Sequence, residues 1–282
     1  MDGAEAGRES TQPFGSAGAV VVTYNPDLTV LRRVIDAVAP QVGKGIVVDN
    51  GSRQAREIST SLPDHFIFHD NGRNLGLARA LNQGVEALLA DSRVDWVLTL
   101  DQDTVVAPDY VDRLLAEVIR HPLNDRIGIV TGALPGDSTG SRQLVPPRHI
   151  YTSGNLVRSS LFGRARFREE FFIDFVDCDF SFQVRAMGYE IMAYDWPMFA
   201  HTLGVSKKIL GRQVRYEPSG RYYYIVRNTT VLVHERRLMA REYLRQVAEW
   251  GILVALCEGP VTALRTFLKG IGDALGGRLD WN

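Results

Sequence analysis

Two aspartates, Asp101 and Asp103, directly follow the apolar run 94–100. Carboxylates at positions i and i+2 that leave a buried strand can share one hard cation, and a cation held by few protein ligands keeps positions open for substrate phosphates. The plainer interpretation, a charged turn or helix cap, suits an isolated Asp-x-Asp better than one that ends an apolar strand. The spacing therefore predicts a divalent-cation site at this strand end.

Two further strand ends carry polar side chains. The β-branched run 19–22 leads into Thr23, Tyr24 and Asn25, and the run 45–48 ends in Asp49. A carboxylate at such a tip could accept a hydrogen bond from a nucleobase N–H or a ribose hydroxyl, or it could close an Asx turn. Because the strand before it ends in Thr23, Tyr24 and Asn25, a pyrimidine nucleotide site explains Asp49 better than an Asx turn does.

The segment from Asn74 to Gly84 has the sequence of a capped helix start. Asn74 can cap the helix, and Gly76 and Ala78 leave room for a ligand to approach the helix N-terminus. A helix that only packs on the sheet satisfies the same pattern. The pattern therefore predicts the helix and leaves the ligand contact open.

Asp177 and Asp179 fall in the first turn of another predicted helix. The helix dipole alone favours acidic residues there, and it would hold such a side chain ionised, which suits a general base. Two interpretations, a favourable helix start and a catalytic carboxylate, are therefore both open for this pair.

His201 and Arg227 each have one structural and one chemical interpretation. His201 follows a strand-like segment, where a structural role is common, but imidazole also suits Mn²⁺ as a third ligand beside the two strand-end aspartates. Arg227 follows an aromatic run that could pack the tail on the sheet, or its guanidinium could lie over a pyrophosphate or an acceptor phosphate.

These residues need a scaffold that brings them together. Apolar strands alternate with amphipathic helices over residues 17–131, which predicts a parallel sheet covered on both faces. Ligands bind such sheets at the carboxyl ends of the strands, so we expect the polar ends at 23–25, 49–52 and 101–103 to converge on one edge. The Gly-, Pro- and Ser-rich stretch 132–147 predicts a mobile loop. Beyond it, the patterns predict strands at 150–158 and 189–194, a helix at 177–187 and three helices from residue 222 onward.

Composition excludes several classes of protein. The 282 residues carry 32 basic and 33 acidic side chains, a balance that argues against a nucleic-acid-binding protein. Two cysteines make no disulfide framework, so we expect a reducing compartment, the cytoplasm. No run approaches 18 apolar residues, and residues 1–16 lack the apolar centre of a signal peptide and are expected to form a disordered leader. The first strand is not followed by G-x-G-x-x-G, which disfavours a dinucleotide oxidoreductase.

The order of the motifs resembles that of family 2 inverting glycosyltransferases. The motifs that carry this resemblance are Val20-Val-Val-Thr-Tyr-Asn25-Pro, Val48-Asp49-Asn-Gly-Ser52, Asn74-x-Gly-x-Ala-x-Ala-x-Asn82-x-Gly84, Asp101-x-Asp103 and Asp177-x-Asp179. Later pieces are similar to the rhamnosyltransferase branch, namely Ser153-Gly154-Asn155, Phe172-Ile-Asp-Phe-Val-Asp177, His201-x-x-Gly204 and Tyr224-x-x-Arg227-Asn228. The resemblance extends from about residue 17 to about residue 228.

The resemblance implies a GT-A fold, an α/β domain with a Rossmann-like, mostly parallel central sheet, flanking helices and a helical C-terminal tail. It implies a catalytic domain over residues 17–215, in which 17–131 is the nucleotide-binding half and 132–215 the acceptor and catalytic half. A helical C-terminal subdomain would occupy 216–282.

Carried over position by position, the resemblance also implies roles. Asp177 would be the catalytic base, and Asp103 and His201 would ligate the metal ion, Mn²⁺ or Mg²⁺. The nucleotide-sugar site would comprise Thr23, Tyr24, Asn25, Asp49, Asn74, Gly76, Asp101 and Gln102, with Thr23 and Asp49 at the base and Asp101 at the ribose or the hydration shell of the metal. Contacts to the acceptor or a phosphate would come from Ser153, Gly154, Asp179 and Arg227. The chain departs from the branch at Asp179, where Glu is more frequent, and at Gln183, where Arg is common.

The implied activity is metal-dependent transfer of L-rhamnose from dTDP-L-rhamnose to a saccharide or lipid-linked acceptor in cell-surface polysaccharide assembly. UDP-galactofuranose or a UDP-hexose is the alternative donor, and a non-catalytic nucleotide-sugar-binding protein is the alternative class. The C-terminal helices, which carry Arg265, Lys269 and Arg278, could lie on the inner face of the plasma membrane or pack against a second subunit in a homodimer.

Overall fold

The computed structural model describes residues 16–90, 94–134, 136–147, 149–200, 205–209, 212–216 and 219–279. Within these ranges the strands are β1 (Ala17–Thr23), β2 (Lys44–Asp49), β3 (Phe66–Asp70), β4 (Trp96–Asp101), β5 (Val105–Val106), β6 (Ile127–Ala133), β7 (Leu144–Val145), β8 (Asn155–Arg158), β9 (Glu190–Pro197), β10 (Phe199–Ala200), β11 (Val205–Ile209) and β12 (Arg212–Tyr216). The α-helices are α1 (Leu28–Val38), α2 (Ala55–Thr60), α3 (Leu77–Ala90), α4 (Tyr110–Arg120), α5 (Val176–Ala186), α6 (Ser219–His234), α7 (Ala240–Glu258) and α8 (Pro260–Leu275).

The central sheet has the order β3-β2-β1-β4-β8-β6-β9-β7. Strands β1 to β4 are parallel, β8 is antiparallel to both of its neighbours, and β6 and β9 are parallel to each other. The chain passes outward from β1 to β3 and then crosses back to β4, which places a topological switch point between β1 and β4. The expected α/β fold with a mostly parallel sheet is confirmed.

Helices cover both faces of the sheet. Successive residues of β1 point to opposite sides, so that Val21 packs in a core with Val34 of α1 and Leu114 of α4, whereas Val20 packs in a core with Leu81 of α3. Because both faces are buried, β1, β2 and β4 have continuous apolar sequences rather than alternating ones. The loops at the carboxyl ends of these strands are therefore held from both sides.

Helix α6 joins the C-terminal helices to the sheet domain. Leu232 lies in the core that contains α3 and α5, while Val226 packs with Phe267 of α8. Gly270 permits this contact, because a Cβ there would lie only 3.0 Å from the carbonyl oxygen of Tyr223. In the described part of the chain, no helix is long and apolar enough to cross a membrane.

Several element boundaries differ from the sequence expectations. The strand expected at 150–158 begins only at Asn155 and is antiparallel, because Gly154 has a left-handed φ of +88° and its N–H is bonded to the carbonyl oxygen of Thr99. The short strands β5, β7 and β10 and the β11–β12 hairpin were missed, since strands of two residues carry no readable periodicity and β11–β12 is largely polar.

The stretch 132–147, which we expected to be mobile, is anchored to the sheet. Within it, β7 pairs with β9, and the carboxylate of Asp195 accepts hydrogen bonds from the N–H groups of Thr139 and Ser141 at 2.7 and 3.1 Å. Hydrogen bonds from the side chains of Thr139 and Ser141, and then these N–H bonds, hold the pKa of Asp195 below its ordinary value. Of the expected leader, only Ser16 lies in the described residues, where its N–H donates to Asp95 at 2.9 Å.

Candidate active site

Three strand ends meet at the switch point of the sheet. In the register of the sheet, Thr23 of β1 is paired with Asp49 of β2, and the residue before Thr23 is paired with Asp101 of β4. The loops that follow are joined directly, because the N–H of Tyr24 donates to Oε1 of Gln102 at 2.7 Å. The expected convergence of polar residues on one edge is confirmed.

Asp49 organises one side of this edge. The residue is fully buried, and its carboxylate accepts hydrogen bonds from Thr23 Oγ1 at 2.7 Å, Ser52 Oγ at 2.5 Å and Ser52 N at 2.6 Å. Ser52 Oγ also accepts a bond from the N–H of Asn25 at 2.7 Å. The buried carboxylate thus holds the loops after β1 and β2 together.

The start of α3 is occupied differently from what the sequence suggested. Oδ1 of Asn74 accepts a hydrogen bond from the N–H of Gly76 at 2.9 Å, and Gly76 has a φ of +86°. A Cβ at Gly76 would lie 2.6 Å from the ring of Phe172. The small size of Gly76 therefore accommodates a side chain of the same protein, in the place where the sequence suggested room for a ligand.

Ser153 and Gly154 shape the end of β4 from within. The N–H of Asp101 donates to Ser153 Oγ at 2.7 Å, and that hydroxyl donates to Thr104 Oγ1 at 2.7 Å. The carbonyl oxygen of Gly154 accepts a bond from the hydroxyl of Tyr110 at 2.5 Å. Both residues are buried, and Ser153 positions the backbone of Asp101, while the acceptor contacts that the resemblance implied for this pair stay a prediction.

Asp177, in the first turn of α5, lies among like charges. Burial is the main cause that raises its pKa to about 7, and the carboxylates of Asp174 and Asp101 raise it further. The N–H of Cys178, which donates to Asp177 Oδ1 at 2.7 Å, opposes this rise. A carboxylate whose pKa is near neutrality is well suited to accept a proton from a hydroxyl group.

Two residues beside Asp177 were missed by the sequence analysis. Asp174 is bound by Arg221 through both carboxylate oxygens, at 2.6 and 3.2 Å. The pKa of Tyr151 is raised by burial first and then by the charges of Asp137 and Asp177, which places Tyr151 near Asp177. Tyr151 also lines a cavity of about 350 Å³. Asp174 falls within the quoted run 172–177, but no periodicity marks it as functional.

Asp179 lies away from this cluster. It is 2% exposed and accepts hydrogen bonds from Gln183 Nε2 at 2.7 Å and from Arg237 Nη1 at 3.1 Å. Residues two apart on a helix diverge by about 200°, which explains why Asp177 and Asp179 have separate environments. The structure thus pairs Asp179 with arginine inside the protein.

Arg227 is also enclosed. It is fully buried on α6, and its guanidinium donates to the carbonyl oxygens of Glu170 and Leu279 and to Oδ1 of Asn228. These partners give Arg227 a structural role between α6 and the segment before α5, and the phosphate contact that the resemblance implied stays a prediction.

Asp101 and Asp103 supply the oxygen donors that a hard divalent cation prefers. Both are half-buried at the end of β4, and the negative charge gathered there contributes to the raised pKa of Asp177. A cation complements this charge, so the residues present fit one. The residues that the structure describes contain no group of three or more His, Cys, Asp or Glu arranged to hold a metal, and His201 lies outside them.

The model of the family described as glycosyl transferase family 2 matches residues 19–191. The chain belongs to this family. It is 24% identical to a dTDP-rhamnosyl transferase, RfbF, of Shigella flexneri over 92% of this chain and 95% of that protein. It is also 24% identical to the poly-beta-1,6-N-acetyl-D-glucosamine synthase of Staphylococcus aureus (strain COL) over 74% of this chain, and it spans half the length of that synthase.

Solved structures show the same fold at low identity. A TarS fragment from S. aureus, in complex with UDP-GlcNAc, superposes with a TM-score of 0.57 at 14% identity, over 94% of this chain and 82% of that one. Glucosyl-3-phosphoglycerate synthase from Mycobacterium tuberculosis, in complex with Mg²⁺ and UDP, has a TM-score of 0.50 at 16% identity, over 73% of this chain and 88% of that one. The protein is a family 2 glycosyltransferase with the GT-A fold and uses a nucleotide-sugar donor.

The raised pKa of Asp177 predicts how its replacement changes stability with pH. Between pH 3.8 and about 7, Asp177 is protonated in the folded chain and ionised in the unfolded chain. The stability that the protonated form contributes is therefore full below this pH range and is lost as the pH rises through it. Asp177→Asn cannot ionise. We therefore compare its free energy of unfolding with that of the wild type, measured with urea in EDTA at pH 4 and at pH 8.5. The advantage of the variant over the wild type should be larger at pH 8.5 than at pH 4, by at least about 1 kcal/mol.

Asp179→Asn is the matched control on the same helix. It removes the negative charge of the buried Asp179 carboxylate, which is paired with the partly exposed Arg237, so it should destabilise the protein at both pH values. An Asp177→Asn variant with an advantage that does not change with pH would show that Asp177 is not a buried carboxyl with a raised pKa.

Proposed function

We propose that this protein transfers L-rhamnose from dTDP-L-rhamnose, with inversion, to a hydroxyl group of a saccharide or lipid-linked acceptor. The observation that carries the proposal is the convergence of Thr23, Asp49 and Asp101 at the switch point of the sheet, together with the raised pKa of Asp177, to which the charge of Asp101 contributes. The similarity to RfbF over nearly the whole of both chains supports rhamnose as the sugar. A UDP-linked sugar is the second candidate, since TarS is a fold neighbour in complex with UDP-GlcNAc.

In this proposal the nucleotide lies across the switch point between β1 and β4. Thr23 and Asp49 hold the paired loops that shape the base subsite, and Tyr24, which is 48% exposed, borders it with Asn25. Asp103, together with Asp101 and the histidine at position 201, would hold Mn²⁺ or Mg²⁺. Such an ion neutralises charge on a departing nucleoside diphosphate.

Asp177 then acts as the general base. It accepts the proton of an acceptor hydroxyl, whose oxygen forms a bond to the anomeric carbon on the face opposite the diphosphate. The bond from that carbon to the diphosphate oxygen breaks, and the configuration inverts. We assign the acceptor to the cavity lined by Tyr151, because the charge of Asp177 contributes to the raised pKa of that tyrosine.

Donor and metal are tested together by thermal shift. Because a ligand that binds the native state raises the unfolding temperature, dTDP-L-rhamnose with Mn²⁺ or Mg²⁺ should stabilise the protein more than UDP-galactofuranose or UDP-glucose does. EDTA, or Asp103→Ala, should remove most of this shift, whereas Asp112→Ala on the exposed face of α4 should not. If a UDP-sugar raises the unfolding temperature more than dTDP-L-rhamnose does, that UDP-sugar is the donor. If the full rise persists in EDTA, the metal assignment is wrong.

The base is tested by comparing two isosteric variants in a transfer assay that measures release of the nucleoside diphosphate. Asp177→Asn should lower kcat about a hundredfold or more, the scale of general-base loss, while donor binding is retained. Asp179→Asn should cost less in kcat, because its side chain faces Arg237. An inactive Asp179→Asn beside a normal Asp177→Asn would reverse the assignment.

We further propose that α7 and α8 contact an anionic membrane surface on which a lipid-linked acceptor is presented. Large aliphatic side chains about 60% exposed form a stripe on these helices, namely Leu244, Ile252, Leu256, Val261, Leu264, Leu268 and Leu275. The exposed charges of residues 260–279 are Arg265, Lys269 and Arg278, all basic, since Asp273 is buried and paired with Lys269 and Arg278. An apolar stripe flanked by basic side chains is typical of helices that lie in the interface of an anionic bilayer.

Flotation with liposomes tests this contact. The wild type should float with vesicles that contain anionic phosphatidylglycerol and much less with neutral phosphatidylcholine. Leu264→Asp with Leu268→Asp should abolish flotation, whereas Ile67→Asp, an exposed apolar residue on β3, should not. A protein that stays at the bottom with both lipids and sediments as a dimer, which the double variant converts to a monomer, would assign the stripe to a second subunit.

A further inference from the structure

The segment that leads into α5 has an unusual backbone. Phe172, Asp174 and Phe175 have φ values of +58°, +63° and +61°, although none of them is glycine. Side chains with a Cβ rarely adopt this region, and such conformations persist only where the surroundings enforce them. Phe175 immediately precedes the first residue of α5, so the path of this segment decides where Asp177 lies.

The carbonyl groups of this segment show what enforces it. The side-chain amide of Asn228 donates to the carbonyl oxygens of Phe171, Ile173 and Asp174, at 3.0, 2.9 and 2.8 Å. Its neighbour Arg227 donates to the preceding carbonyl, that of Glu170. One pair of adjacent side chains on α6 therefore satisfies four carbonyls that no strand or helix pairs.

The remaining carbonyl, that of Phe172, accepts a hydrogen bond from the N–H of Leu77 at 2.6 Å, at the start of α3. The ring of Phe172 is stacked on Tyr224, one turn before Asn228 on α6, with a centroid distance of 5.0 Å. The five carbonyls from 170 to 174 are thus all engaged, and most of the donors come from α6.

We infer that Asn228 is a positioning residue for the transfer reaction, because its amide holds the strained segment that leads directly into the first turn of α5, where Asp177 lies. The inference rests on the proposed role of Asp177 as the base. Asn228 is itself fully buried and touches no substrate. Without its amide, the carbonyls of Ile173 and Asp174 lose the donor described above and that of Phe171 keeps the N–H of Ile173, so the left-handed residues can relax to ordinary conformations. A displacement of a catalytic group by about 1 Å costs on the order of a hundredfold in rate.

The test is a comparison of three variants in the same transfer assay. Asn228→Asp keeps the shape and the oxygen that accepts from Arg227 Nε, but it replaces the donating amide with an acceptor. We expect kcat to fall at least thirtyfold while the KM for the donor stays within about twofold, because the residues of the nucleotide subsite lie on other elements. Asn82→Asp is the control, since Asn82 is buried and its amide donates to the carbonyl oxygen of Phe167 at 2.8 Å and to Oε1 of Glu169 at 3.0 Å, but to none of the five carbonyls from 170 to 174. It should lower the unfolding temperature and leave kcat within about twofold.

Tyr224→Leu extends the test if Asn228→Asp fails to fold. It removes the stacking on Phe172, together with the contacts of the ring with Tyr223 and with the guanidinium of Arg227, and should lower kcat about fivefold at unchanged donor KM. The inference is overturned if a folded Asn228→Asp has a normal kcat, or, where that variant does not fold, if Tyr224→Leu does. It is also overturned if Asn82→Asp loses as much kcat as Asn228→Asp. Asp177→Asn is measured alongside, because normal turnover in that variant removes the proposed base, whereas an inactive Asp177→Asn beside a normal Asn228→Asp removes only the positioning role.

Discussion

The repulsion among carboxylates at the end of β4 is the constraint on which the rest of the site depends. Asp101, Asp174 and Asp177 come from two separate parts of the chain and lie close enough that the first two raise the pKa of the third. An isolated set of like charges would separate, so the protein must hold them in place. Arg221 compensates Asp174, and a divalent cation at Asp101 and Asp103 would compensate the remainder.

Helix α6 provides most of this restraint, and it does so from outside the sheet. One of its faces carries Arg221, Tyr224 and Asn228, which bind the segment before α5 through charge, ring stacking and hydrogen bonds. Left-handed φ values cost about 1–3 kcal/mol per residue, and the satisfied carbonyls offset that cost. The same helix packs on α8, so the C-terminal helices support the position of the catalytic segment.

Asp49 has the corresponding role at the nucleotide side. Its carboxylate is buried and accepts three hydrogen bonds from Thr23 and Ser52, which makes it the centre of a loop pair. The aspartates at the two strand ends therefore differ in their environment. Asp49 is buried and hydrogen-bonded to other residues of the protein, whereas Asp101 and its neighbour Asp103 remain half-buried at the surface of the site.

The sequence by itself determined the layers of the fold and the edge at which the site lies. Short apolar runs that end in turn residues and alternate with amphipathic helices indicate strands buried on both faces, and parallel strands bring Thr23, Asp49 and Asp101 to one edge. Tertiary structure alone decided which polar residues face a ligand, because that depends on partners distant in the chain. Gly76 accommodates Phe172, Arg227 donates to Glu170, and Asn228 reaches back more than fifty residues. Periodicity reports which side of an element is buried, but it contains no information on which distant carbonyl or carboxylate a buried polar group will meet.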